Sequence, residues 1–139
     1  MQAEERIDVG DVMHRGVVSC DPRASGLAVA RTMAAHRVHS VVVKEPGALP
    51  DVVTDVEVGA AVYGGVLEES TAAELARPAP LLRASDSLAF ALERMHERRS
   101  THAVVIDRSV QPLGVVSILD VVEALLRQHD REMVARFHG

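Results

Sequence analysis

The sequence predicts a mixed α/β protein (α+β in how its elements group) made of one unit used twice and closed into a single pseudo-twofold body. Three observations predict it. The chain repeats itself: Met13 falls on Leu75 and Met33 on Met95, a constant offset of 62 residues. Aromatic residues are only 2% of the chain, so Val, Ala and Leu must build the core, which favours short β-branched strands beside Ala/Leu-faced helices. Finally, a unit of roughly 60 residues is marginal as an independent fold, so two units with matching apolar faces are expected to share one core.

The elements follow in the same order in each half. A short helical turn opens the unit, Asp8–His14 in the first and Thr71–Ala76 in the second, where Thr71 and Glu74 have capping-box spacing. A brief apolar run follows, Val17–Cys20 or Leu81–Leu82. Next comes a capped helix over about Ser25–Arg37 or Asp86–Arg99. Its buried stripe recurs: Gly26, Val29, Ala30 and Met33 fall on Leu88, Ala91, Leu92 and Met95, with the i, i+3, i+4, i+7 spacing of a helix face.

A strand follows, Val38–Lys44 or His102–Asp107, then a turn containing Pro and Gly, then a second strand, Val52–Thr54 or Val115–Ser117. Across that turn the offset becomes 63, laying Thr54 on Ser117 and Glu57 on Asp120. A one-residue indel in a turn is where an indel is tolerated. The first late helix ends near Tyr63, where Gly64 and Gly65 stop it. The expected organisation is a first unit over 8–63, a linker over 64–70, a second unit over 71–127 and a helical extension over 128–139. The last helix is expected to run from near Asp120 to Phe137, with Val122, Leu125, Leu126, His129, Met133 and Phe137 near one face.

Charge and composition exclude several functions. A net charge of −5 opposes generic nucleic-acid binding, which needs surplus Lys and Arg. The single cysteine, Cys20, cannot form an internal disulfide and reads as a small core residue in a reducing compartment. The opening MQAEERIDV lacks a signal-peptide pattern, and no apolar run approaches the ~20 residues that span a bilayer. A soluble, cytoplasmic protein with no membrane partner is expected. His36 and His39 have metal-like spacing, but no second ligand pair accompanies them, and they read as a solvated helix end. No nucleophile elbow, Gly-rich phosphate loop or other catalytic constellation appears, so no enzymatic activity is expected.

The second half contains Gly114-Val-Val-Ser117-Ile-Leu-Asp120 after Ala103-Val-Val-Ile-Asp107, and the first half a variant, Asp51-Val-Val-Thr54-Asp-Val-Glu57. Strand, turn, strand ending G-φ-φ-T/S-x-x-D (φ apolar), then helix, resembles the cystathionine-β-synthase (CBS) domain family, over about residues 8–127. The resemblance implies two β-α-β-β-α units packed through their sheets, the arrangement called a Bateman module, with ligand clefts between them. It implies that Ser117 and Asp120 hold a ribose, that Val116 and Val104 lie near a base, and that His102 approaches a phosphate. In the first half the matching site residues are Thr54 and Glu57, and His39 is the only comparable basic residue there. The implied ligand is an adenosine nucleotide, AMP, ADP, ATP or S-adenosylmethionine. The implied partners are a second copy of the chain, paired through helices, and an unidentified protein effector acting in trans.

Elementary chemistry supports the motif and also offers an alternative. A carboxylate accepts hydrogen bonds from both vicinal ribose hydroxyls, and a Ser or Thr hydroxyl donates or accepts. A helix N-terminus offers N–H groups to anionic oxygens, and a glycine before the strand lets a ligand approach the backbone. Yet Thr54-x-x-Glu57 and Ser117-x-x-Asp120 also have capping-box spacing, and caps need no ligand. On that reading the protein is a ligand-free dimerisation scaffold. The first half departs from the motif at Asp51 and Glu57, so one occupied site, in the second half, is expected.

Overall fold

The computed structural model describes residues 6–138, excluding the side chains of Phe137 and His138. The expected contribution of Phe137 to a helix face therefore lies outside the described residues. The first repeat comprises α1 (Val9–Val12), β1 (His14–Arg15), β2 (Ser19–Cys20), α2 (Gly26–His36), β3 (Ser40–Val43), β4 (Asp51–Thr54) and α3 (Asp55–Tyr63). The second comprises α4 (Ala72–Leu75), β5 (Arg77–Pro78), β6 (Leu81–Leu82), α5 (Leu88–Glu97), β7 (His102–Ile106), β8 (Pro112–Ser117) and α6 (Ile118–His138). The mixed α/β class and the doubled order are as the sequence predicts. The opening helix is shorter than expected: it ends at Val12, and His14 is already in a strand.

That strand shows how the halves are joined. The two four-stranded sheets run β1-β8-β7-β6 and β2-β3-β4-β5. Each repeat gives its first two-residue strand to the other's sheet: β1 pairs antiparallel with β8, and β5 with β4. The opening helices cross in the same way. Val9 packs in the core of the second repeat with Leu88, Met95 and Val121, and Ala72 in that of the first with Val29, Met33 and Val53. Backbone hydrogen bonds fix these crossings, Gly10 N–H to Ala84 O (2.8 Å) and Ala72 N–H to Ala24 O (2.7 Å). A third cluster, Val42, Val52, Ala79, Val104 and Ile106, lies between the sheets and draws from both. The repeats thus pack through their sheets as one pseudo-twofold body.

Local chemistry places the helices. Ser25 Oγ accepts the Ala28 N–H (3.0 Å) to start α2, and Ser87 Oγ the Phe90 N–H (3.1 Å) to start α5, repeat-equivalent caps. The linker is tied down at α2: the Gly26 N–H donates to Ser70 O (2.7 Å), and a Cβ at Gly26 would sit 2.4 Å from Leu67 O. The last helix is 21 residues long, about 31 Å at 1.5 Å per residue. Val121 and Ala124 are fully buried, whereas Leu126 is 56% exposed and His129 faces solvent. Among the described residues no helix is long and apolar enough to cross a membrane.

Candidate functional site

Where the exchanged strand β1 meets the end of β8, the two repeats enclose a cleft of about 580 Å³. Its wall from the first repeat is His14, Arg15, Gly16, Val17 and Val18, followed by Arg37, Val38, His39 and Ser40 after α2. The wall from the second repeat is His102, Val115, Ser117, Leu119 and Asp120. A pseudo-symmetric cleft lies at the end of β4, lined by Val52, Thr54, Val56, Glu57, Arg77, Arg99, Ser100 and Thr101, but it holds only about 150 Å³.

The sequence motif thus comes to the larger cleft in its Ser117–Asp120 form. The Ser117 N–H donates to Asp120 Oδ2 (2.8 Å) and the Asp120 N–H donates to Ser117 Oγ (3.1 Å), a reciprocal cap at the start of α6. The remaining carboxylate oxygen, Oδ1, lies 3.1 Å from His14 Nε2. Burial pushes the Asp120 carboxyl upward, but bonds from the Ser117 backbone and side chain, then from His14, outweigh it and hold the group below its ordinary value. Asp120 is therefore ionised at neutral pH.

The first-repeat motif is spent differently. Glu57 Oε1 accepts both the Thr54 N–H (2.8 Å) and the Thr54 hydroxyl (2.9 Å), its extra methylene letting it fold back over the cap. The Thr54 hydroxyl donates to Glu57 and accepts the Val56 N–H, whereas the Ser117 hydroxyl accepts the Asp120 N–H. Asp51, which stands where the motif has glycine, does not line this cleft.

Other expectations shift by position. Val116 and Val104, expected beside a base, are fully buried: Val116 in the helix-side core and Val104 between the sheets. The strand alternates, so Val115 and Ser117 face the cleft while Val116 faces away. His39, assigned by sequence to the first-repeat site, lines the larger cleft together with His102, with its Nδ1 3.2 Å from Asp55 Oδ2. His102 is there as expected, but burial is the largest influence on it and pushes its pKa below the usual value. It is neutral at pH 7 and supplies a hydrogen bond, not a charge. Gly114, read as a point of close approach for a ligand, has another role: a Cβ there would lie 2.4 Å from His14 O, so the glycine admits β1.

The fixed positive charges are Arg15 and Arg37, which the motif does not contain. A signal for both was present, because the offset of 62 lays Arg15 on Arg77 and Arg37 on Arg99, and the latter pair lines the smaller cleft. Arg37 takes the left-handed conformation that closes α2, with φ of 53°. Among the described residues no group of three or more His, Cys, Asp and Glu is placed to hold a metal.

The CBS-domain family model matches residues 9–62 and 72–127, most of the chain and each repeat once. The chain belongs to the CBS-domain family. It is a tandem CBS pair, and its fold is shared with solved CBS structures. A CBS domain protein from Pyrobaculum aerophilum complexed with AMP is 26% identical, with 82% of this chain and 89% of that chain covered and a TM-score of 0.74. The CBS domain pair of protein MJ0100, in complex with 5′-methylthioadenosine and S-adenosyl-L-methionine, matches with a TM-score of 0.78 over 89% of this chain and 99% of that one, at 12% identity. A CBS-domain protein from Agrobacterium tumefaciens is 24% identical, with 84% and 97% covered and a TM-score of 0.72. No curated protein matches the chain.

Proposed function

We propose that this CBS pair is a non-catalytic regulatory module that binds one phosphorylated adenosine per chain in the larger cleft. The observation that carries the reading is the meeting, in one cleft, of the Ser117 hydroxyl and Asp120 carboxylate with the guanidinium-bearing residues Arg15 and Arg37. The volume of about 580 Å³ lies within the roughly 300–1,000 Å³ of small-molecule sites. Ser117 and Asp120 bind the ribose diol, Val17, Val38, Val115 and Leu119 give the base an apolar wall, and Arg15 and Arg37 meet phosphate. The AMP complex of the Pyrobaculum relative supports the ligand class. The two arginines favour AMP, ADP or ATP over S-adenosylmethionine, whose sulfonium brings positive charge to a positive wall. Calorimetric titration with AMP, ADP, ATP, S-adenosylmethionine and GTP tests this. Micromolar binding of an adenosine phosphate, tighter than S-adenosylmethionine, is expected; heat from none of them refutes the reading.

Because the cleft is walled by both repeats, a ligand favours one mutual arrangement of them, and an effector in trans reads that arrangement. The same reading makes the module a homodimer. Leu119, Leu126 and Val134 of α6 are each more than half exposed, and Val56, Val62 and Tyr63 of α3 likewise. Pairing through these helices covers them, and sedimentation at tens of micromolar protein is expected to show twice the chain mass; a monomer refutes it. A reducing, cytoplasmic setting suits Cys20, whose half-buried thiol is pushed up by burial and by Asp21, away from reactivity.

The second reading, a ligand-free scaffold, is favoured by one observation: the Ser117–Asp120 hydrogen bonds are complete as a helix cap without any ligand.

A further inference from the structure

One polar contact in the cleft belongs to neither a helix cap nor a sheet. His14 Nε2 lies 3.1 Å from Asp120 Oδ1, bridging strand β1 of the first repeat and helix α6 of the second. The His14 backbone is fixed, since its strand is paired with β8 at Val115. Its side chain is 77% exposed, so the imidazole can turn away without losing packing. The first-repeat motif has no counterpart: the offset of 62 puts Ala76 at the position of His14. The partnered carboxylate oxygen is also the available one, because Oδ2 is already held by the Ser117 N–H.

We propose that His14 is a resident competitor for the ribose-binding carboxylate, a residue that a nucleoside must displace from Asp120 to bind. The inference rests on the nucleotide reading above and adds a determinant of affinity to it. Displacement exchanges a bond between the repeats for a bond to the ligand. Occupancy therefore releases the side-chain tie between β1 and α6 while the backbone pairing of β1 with β8 persists. His14 sets how much free ligand is needed to fill the site, and it does so only in the second-repeat cleft. The other charged or titratable residues on the cleft wall, Arg15, Arg37, His39 and His102, are left in place when His14 alone is changed.

The test compares AMP and adenosine binding by calorimetry in the wild type, His14→Ala and His14→Gln. A net hydrogen bond of about 0.5–1.5 kcal/mol corresponds to roughly a twofold to twelvefold change in affinity. His14→Ala is expected to bind both AMP and adenosine about threefold to tenfold more tightly, because the competition is at the ribose. His14→Gln, which keeps an N–H donor, is expected to return part of the way toward the wild type. Unchanged or weaker binding by His14→Ala, or a gain for AMP without one for adenosine, overturns the inference while the nucleotide reading stands. Absence of AMP binding in all three proteins overturns both.

Discussion

Replacing Gly114 with alanine unseats the exchanged strand β1 and deforms the cleft with it. The added Cβ would sit 2.4 Å from His14 O and 3.2 Å from both the His14 carbonyl carbon and Met13 Sδ. Two of these atoms are backbone of a paired strand, so relief requires β1 to move off β8. Overpacking of this kind costs about 1–3 kcal/mol, and backbone contacts put this site toward the upper end. For a chain of this length a loss of about 2 kcal/mol lowers the melting temperature by roughly 4–12 °C. Thermal unfolding followed by circular dichroism checks the shift; a melting temperature unchanged from wild type would contradict the strand exchange. Because His14, Arg15 and Gly16 all line the cleft, the same substitution is expected to weaken AMP binding.

Asp120→Ala separates the sensor from the scaffold. It removes the carboxylate that accepts the Ser117 N–H and faces His14. As a cap alone, Asp120 is worth about 1 kcal/mol, and α6 remains held by the fully buried Val121 and Ala124. As a ribose ligand it is worth more. A hydrogen bond to a charged group contributes about 1.5–3 kcal/mol, so AMP affinity is expected to fall by about tenfold to more than a hundredfold with the fold intact. The two roles separate in one preparation, with the melt reporting the cap and the calorimeter the ligand. A variant that melts slightly lower yet binds AMP as the wild type does would leave Asp120 as a helix cap only.

Much of the architecture was legible because it is local or repeated. Met33 and Met95, the Ser25 and Ser87 caps, and the Val41–Val43 and Ala103–Val105 runs each follow from helix or strand periodicity, and the constant offset ties them into two copies. The exchange of β1 and β5 was not legible. Two-residue strands carry no periodic signal, and their pairing is with residues about a hundred positions away for β1, at Val115, and about 25 for β5, at Val52. From that one gap came several errors of placement. Without the exchange of β1, nothing in the sequence brings His14 to Asp120 or Arg15 to the same cleft, and His39 reads as a first-repeat site residue. The Val116 assignment failed for a simpler reason: strand alternation pairs Val115 with Ser117 on one face. In α6 the packing of Val121 and Ala124 against α5 and α1 turns Leu126 and His129 outward. The two arginines were recoverable, since Arg15–Arg77 and Arg37–Arg99 repeat at the same offset as the core residues.

The asymmetry between the clefts, about 580 Å³ against 150 Å³, makes stoichiometry the most direct test of the account. In the smaller cleft Glu57 already takes both the N–H and the hydroxyl of Thr54, and in the larger one Asp120 takes the Ser117 N–H on Oδ2 and turns Oδ1 toward His14 in the cleft. Calorimetric titration of the wild-type chain with AMP is expected to give one ligand per chain, abolished by Ser117→Ala combined with Asp120→Ala. Two ligands per chain, or one that persists in that double variant, would contradict it.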